Sequence, residues 1–132
     1  WKIHFNHIWV KDCINILKSI IQHSNLYSPL INMDNILNYE LDKNVKFLGR
    51  KSGEDLARWI ASSSGLVYIS YFEGFGLPVL EGMMAGVPVI SGNLTSLPEV
   101  GGNAVIYVDP FNVESIIKGF QEAINNYSKY ST

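Results

Sequence analysis

Two glutamates, Glu73 and Glu81, stand alone in an apolar and glycine-rich stretch of the sequence. They are the only acids between Arg58 and Glu99, and no lysine or arginine lies between Arg58 and Lys118. A carboxylate that is removed from water is costly unless it is paired or hydrogen-bonded. Its partners could be backbone amides, a distant base, or the hydroxyls of a ligand. Each hydrogen bond to a charged acceptor is worth roughly 1.5–3 kcal/mol, and the charges alone leave these partners open. A glutamate in a loop is also commonly solvated, and one in the first turns of a helix can simply complement the helix dipole.

The loop between the two acids has the composition of an anion site. Gly74 and Gly76 let the backbone come close to a ligand or adopt positive φ, and Pro78 suits the first residue of a helix. We therefore predict a helix from Pro78, whose free N–H groups and dipole would bind a phosphate or diphosphate without a lysine. Glu81 would lie about one turn into this helix. It would repel phosphate, so neutral hydroxyls such as those of a ribose suit it better.

A longer run of residues matches a known family. The segment EGFGLPVLEGMMAGVPVI, with seven residues between Glu73 and Glu81, is followed by SLPEVGGNAVIYVDP. This series resembles the family 4 retaining glycosyltransferases of the GT-B fold, and the resemblance covers residues 44–126. It implies that the chain is the C-terminal, donor-binding half of a hexosyl-type transferase. Such an enzyme moves a sugar from a nucleotide-diphosphate sugar to an acceptor, with retention of configuration and without a metal or other cofactor.

The resemblance also implies a role for each matching position. Glu73 would be the catalytic residue that faces the hydroxyls of the transferred sugar, and Glu81 would bind the ribose. The backbone amides of the intervening loop would hold the diphosphate, namely those of Gly74, Phe75, Gly76 and Leu77. Two further loops lie near this site in the family, and they supply the additional donor-binding candidates Gly49, Arg50, Thr95 and Ser96.

Two parts of the family pattern are absent from the sequence. In the first strand and helix of this domain the family places an arginine and a lysine, separated by four residues, which neutralise the departing diphosphate. No such pair precedes Asn44. Arg50 and Lys51 are adjacent and follow a different strand, so they do not take that role. The acceptor domain with its catalytic histidine is also absent, because 132 residues beginning at Trp1 suffice for one domain. We expect a single-domain fragment that is inactive alone and meets a glycan or lipid-linked acceptor through the missing half.

Composition excludes several other classes of protein. A net charge of −2 with 17% charged residues argues against a nucleic-acid surface. The longest uncharged run, residues 82–98, is broken by glycines and prolines and is unsuited to a membrane span. The single cysteine, Cys13, fits a cytoplasmic protein, peripheral to the membrane at most through the missing half. His4 and His7 would face opposite sides of a strand, so with Cys13 they do not predict a metal site.

Strand-length apolar segments alternate with segments of helical period, which predicts a doubly wound, Rossmann-like α/β domain with a parallel sheet. We predict strands at residues 45–48, 66–70, 87–91 and 104–108. We predict helices at residues 53–62, 78–85 and 113–126, with Ser52 and Asn112 as caps for the first and last. Ligands bind beyond the carboxyl ends of parallel strands, where loops 71–77 and 92–98 would lie.

Two alternatives remain open. The chain could be a module that binds a nucleotide or another phospholigand but performs no catalysis on its own. Glu73 and Glu81 could also flank a glycosidic bond in a hydrolase. The glycine-bracketed anion loop favours transfer, because a hydrolase would not need a phosphate site between its two acids.

Overall fold

The computed structural model describes residues 50–51 and 53–131. Helices and strands alternate along this part of the chain, as expected for an α/β domain. In chain order they are α1 (Gly53–Ala61), β1 (Leu66–Tyr68), α2 (Leu77–Met84), β2 (Val89–Gly92), α3 (Leu97–Gly101), β3 (Ile106–Val108), α4 (Val113–Asn125) and α5 (Tyr127–Tyr130).

The described strands form one parallel sheet in the order β1-β2-β3. Leu66 pairs with Val89 across the first two strands, and Ser91 pairs with Tyr107 across the second and third. A parallel pair needs a crossover connection, and here α2 connects β1 to β2 while α3 connects β2 to β3. All carboxyl ends therefore lie at one edge of the sheet.

Both faces of the sheet are covered by apolar side chains. The neighbouring residues Val89 and Ile90 of β2 belong to different clusters, because successive side chains of a strand point to opposite faces. One cluster contains Ile60, Leu66, Val79, Val87, Val89, Leu97 and Val105. The other contains Ile90, Ile106, Val108, Ile116 and Phe120. The predicted doubly wound, Rossmann-like α/β fold is confirmed.

Glycines allow two helices to lie close against the sheet. A Cβ atom at Gly82 of α2 would lie 2.6 Å from Val89 Cγ2 and 2.8 Å from Leu66 Cδ2. A Cβ atom at Gly119 of α4 would lie 2.4 Å from Val108 Cγ1. These distances are shorter than van der Waals contact, so both helices depend on the absence of a side chain at these positions.

Three of the four predicted strands are confirmed, each shorter than expected. β2 begins late because Pro88 has no N–H to donate and the Val87 N–H bonds back to the Gly82 carbonyl at 3.3 Å. β3 begins late because the Ala104 N–H still bonds to the Gly101 carbonyl at the end of α3. The fourth predicted strand, at residues 45–48, lies outside the described residues.

Three predicted helices are also confirmed, with one correction. α2 begins at Leu77 and not at Pro78, because Gly76 takes the N-cap position and Pro78 follows within the first turn. Asn112 caps α4 as predicted, its Oδ1 accepting from the Ser115 N–H at 3.1 Å. Ser52 lies outside the described residues, and the short helices α3 and α5 were not predicted.

Candidate functional site

The candidate site lies at the carboxyl edge of the sheet, where the loop after β1 meets the loop after β2. Gly92, the last residue of β2, lies so close to the first of these loops that a Cβ atom there would be 2.8 Å from the Ser70 carbonyl oxygen. Both loops predicted to face a ligand therefore share one edge. The loop after β1 also leads directly into α2.

Glu73 is held by a tyrosine that sequence reasoning missed. The Tyr68 hydroxyl, at the end of β1, donates a hydrogen bond to Glu73 Oε1. Burial raises the pKa of Tyr68 well above its ordinary value, and the hydrogen bond to Glu73 and the charges of Glu73 and Glu81 raise it further. The phenol therefore stays protonated at neutral pH and remains a donor. In the sequence Tyr68 is typical of a β-strand residue, and nothing in that pattern indicates a hydrogen bond to Glu73.

The backbone of Glu73 is held from the other loop. Its N–H donates to Thr95 Oγ1 at 3.2 Å, and its carbonyl accepts from Ser96 Oγ at 2.9 Å. Thr95 and Ser96, predicted as donor-binding candidates, therefore contact Glu73 itself. Together with the bond from Tyr68, three hydroxyls fix the amide, the carbonyl and the carboxylate of one residue.

Thr95 adopts an unusual backbone conformation. Its φ is 55°, and it is the only non-glycine residue with positive φ in the part of the chain that the structure describes. Such a conformation is a genuine outlier for a β-branched residue and costs on the order of 1–3 kcal/mol. The surrounding contacts, including the hydrogen bond from Glu73, must compensate for this cost.

The two glycines of the loop play different parts. Gly76 has φ of 91° and a Cβ atom there would lie 2.5 Å from Leu97 Cδ2, so its conformation and its packing both require glycine. Gly74 has nothing within 4 Å of its Cβ position and is exposed. Gly76 also gives α2 an N-cap without a side chain to bond the first turn. The N–H groups of that turn are therefore not capped by a side chain.

Glu81 lies on α2, near enough to Tyr68 for its charge to act on the phenol. It is the fifth residue of the helix and is half-buried. Its charge contributes to the raised pKa of Tyr68, which also bonds to Glu73. Both predicted acids thus act on one phenol, Glu73 through a hydrogen bond and Glu81 through its charge.

Sequence comparison identifies the family. Residues 33–132 match the sequence model of the glycosyl transferases group 1 family. The chain belongs to this family. The O-antigen chain mannosyltransferase B of Escherichia coli is 49% identical over 72 residues, which cover 54% of this chain and 19% of that protein. The segment in common is thus about a fifth of the relative's length.

Exposed apolar side chains lie along the loop after β1 in this group 1 glycosyltransferase chain. Phe72 is 80% exposed, and Phe75 and Leu77, whose amides are candidates for the diphosphate, are also exposed. The Tyr71 ring packs on Phe111, in the loop after β3, with ring centroids 4.7 Å apart and planes tilted by 38°. The loop after β1 is therefore linked to the loop after β3 as well.

The remaining candidates gain no further support. Gly49 lies outside the described residues, and Arg50 is exposed, so their contribution to donor binding stays a prediction. Over residues 50–51 and 53–131, no group of three or more His, Cys, Asp or Glu side chains could hold a metal ion. In the same part of the glycosyltransferase chain, no helix has both the length and the apolar character to cross a membrane.

Proposed function

We propose that this chain is the donor-binding half of a retaining, family 4 glycosyltransferase of the GT-B fold. It would bind a nucleotide-diphosphate sugar, while a domain outside this chain would bind a glycan or lipid-linked acceptor. Membership of the group 1 family supports sugar transfer. The observation that carries the donor site is the fixing of Glu73 at three points beside the start of α2.

Glu73 takes the catalytic role in this proposal. Its carboxylate would accept hydrogen bonds from the hydroxyls of the transferred sugar and orient the sugar toward the acceptor. A group fixed at its amide, carbonyl and carboxylate loses little entropy on binding, which is what positioning catalysis requires. Tyr68 occupies one carboxylate oxygen, so a sugar hydroxyl would bond mainly to the other.

The diphosphate would lie at the start of α2. The exposed backbone of Gly74 allows close approach, and the first turn of α2 has no capping side chain. The N–H groups from Gly74 to Leu77 and the helix dipole would stabilise the negative charge as the diphosphate departs. Glu81, one turn further along, would accept hydrogen bonds from the ribose. No metal takes part in this scheme.

The relative suggests which sugar to test first. It is named as a mannosyltransferase acting on the O-antigen chain, so we propose mannose as the transferred sugar and a surface glycan as the acceptor. We place the reaction in the cytoplasm because the single cysteine fits a reducing compartment.

Calorimetric titration of the intact protein tests the donor site. Uridine, guanosine and adenosine diphosphates would each be titrated alone and carrying a sugar, including mannose. We expect one base to be selected, Glu81→Ala to weaken both forms of its ligand, and Glu73→Ala to weaken the sugar-bearing form more than the bare diphosphate. Equal binding by the wild type and both variants would refute the assignment. Tight donor binding without transfer in the intact protein would favour a binding module.

A further inference from the structure

We propose that Thr95, together with Ser96, is a positioning residue for Glu73 and sets the preference for a sugar-bearing donor over the bare nucleoside diphosphate. This inference rests on the proposed function, since it concerns how Glu73 reaches the sugar. It assigns to the loop after β2 an indirect role, exerted through Glu73.

Two hydrogen bonds hold the backbone of Glu73, and we call this pair the clamp. Thr95 Oγ1 accepts from the Glu73 N–H, and Ser96 Oγ donates to the Glu73 carbonyl, so two consecutive hydroxyls hold both backbone groups of one residue. The bonded residues are 22 and 23 positions apart in the chain. The clamp therefore joins the loop after β1 to the loop after β2 at the backbone of Glu73.

The backbone conformation of Thr95 supports a specific role for its hydroxyl. At φ of 55° glycine would fit without steric cost, whereas a β-branched side chain is unfavourable. The Thr95 hydroxyl accepts the hydrogen bond from the Glu73 N–H. A strained conformation persists where the surroundings over-determine it, commonly at functional sites.

Loss of the clamp would affect the sugar contact selectively. The start of α2 is held separately, because Gly76 packs against Leu97, which is fully buried. Glu81 lies within α2 and depends on the packing of that helix against the sheet. Diphosphate and ribose contacts would therefore survive a movement of Glu73, and the sugar contact would not.

Three variants test this: Thr95→Gly, Thr95→Ser and, as a matched control in the same loop, Asn93→Gly. Thr95→Gly removes the hydroxyl and relieves the strain while leaving more freedom in the unfolded chain, so its melting temperature should stay within about 3 °C of wild type. We expect its affinity for the sugar-bearing donor to fall roughly tenfold or more, with binding of the bare diphosphate unchanged. Thr95→Ser should restore the preference, and Asn93→Gly should retain it.

A measurement without ligand separates this inference from the proposed function. Amide hydrogen exchange at Glu73, followed by NMR, should be faster in Thr95→Gly than in wild type and slow again in Thr95→Ser. Unchanged exchange overturns the positioning role, and so does an equal loss of affinity for both ligands with a lowered melting temperature. A wild type that binds no nucleoside diphosphate overturns the proposed function and the donor preference, while the exchange rates still report on the clamp.

Discussion

The Tyr68 hydroxyl and the Glu73 carboxylate are joined by a hydrogen bond that connects the end of β1 to the loop that follows it. Tyr68 pairs with Ser91 of β2 and packs against the core, so this bond attaches the Glu73 carboxylate to the sheet. The proposed catalytic group is thereby held by the sheet as well as by its own loop.

Tyr68→Phe should release the Glu73 carboxylate while preserving the ring that packs against the core. We expect weaker binding of the sugar-bearing donor, little change for the bare diphosphate, and a loss of about 1 kcal/mol in the free energy of unfolding. Calorimetry and urea denaturation measure these two effects. Tyr107→Phe is a matched control, because its hydroxyl bonds to carbonyls of α3 and not to Glu73. A donor preference unchanged in Tyr68→Phe would contradict the role given to this phenol.

The raised pKa of Tyr68 predicts how stability depends on alkaline pH. The folded chain holds the phenol proton more tightly than the unfolded chain, where tyrosine ionises near its ordinary pKa of about 10. This contribution to stability is complete below pH ~10 and is lost as the pH rises toward the higher folded pKa. Urea denaturation at pH about 9 and about 11 should show the loss. Burial also raises the pKa of Tyr107. Tyr68→Phe should therefore reduce, and not abolish, the slope of the free energy of unfolding against pH. An identical slope in wild type and Tyr68→Phe would disprove the assignment.

Gly76→Ala should destabilise the chain, whereas Gly74→Ala should be nearly neutral. An added methyl group at Gly76 meets Leu97 at 2.5 Å on a backbone with φ of 91°, so we expect a cost of about 1–3 kcal/mol. At Gly74 the same methyl group has open space, and a change within about 0.5 kcal/mol is expected. Thermal unfolding of both variants measures the difference. Similar losses of stability in Gly76→Ala and Gly74→Ala would show that packing does not distinguish the two glycines.

Local sequence patterns predicted most of the elements that carry the site. β-branched runs indicated the three described strands, and Asn112 marked the start of α4 because capping is decided within four residues. Glu73 and Gly76 could be chosen as candidate site residues from one short segment of sequence. Glu73 is an isolated acid there, and Gly76 lies two positions before a proline. The charges of both acids act on Tyr68, whereas their roles at a donor site stay predictions.

Contacts between distant residues could not be predicted in the same way. The bond from Glu73 to Thr95 depends on how far β2 extends beside β1, which no local pattern specifies. The sequence indicates only that Tyr68 belongs to a strand. Its hydrogen bond to Glu73 depends on the path of the loop that follows, which the sequence pattern does not specify. The five-residue helix α3 was missed because its proline, its final glycine and the glycine that caps it also suit an irregular loop.

The three loops at the carboxyl edge are tied to one another by contacts between neighbours. The loop after β1 bonds to the loop after β2 through Glu73, and it stacks on the loop after β3 through Tyr71 and Phe111. The Asn93 N–H also bonds to the Val108 carbonyl at the end of β3 at 3.0 Å. Local opening of one loop would thus break contacts in the others, so the three form one cooperative unit. A substitution at Phe111 would therefore change the free energy of opening of the loop after β1, which carries the proposed catalytic residue Glu73 and in which Phe111 does not lie.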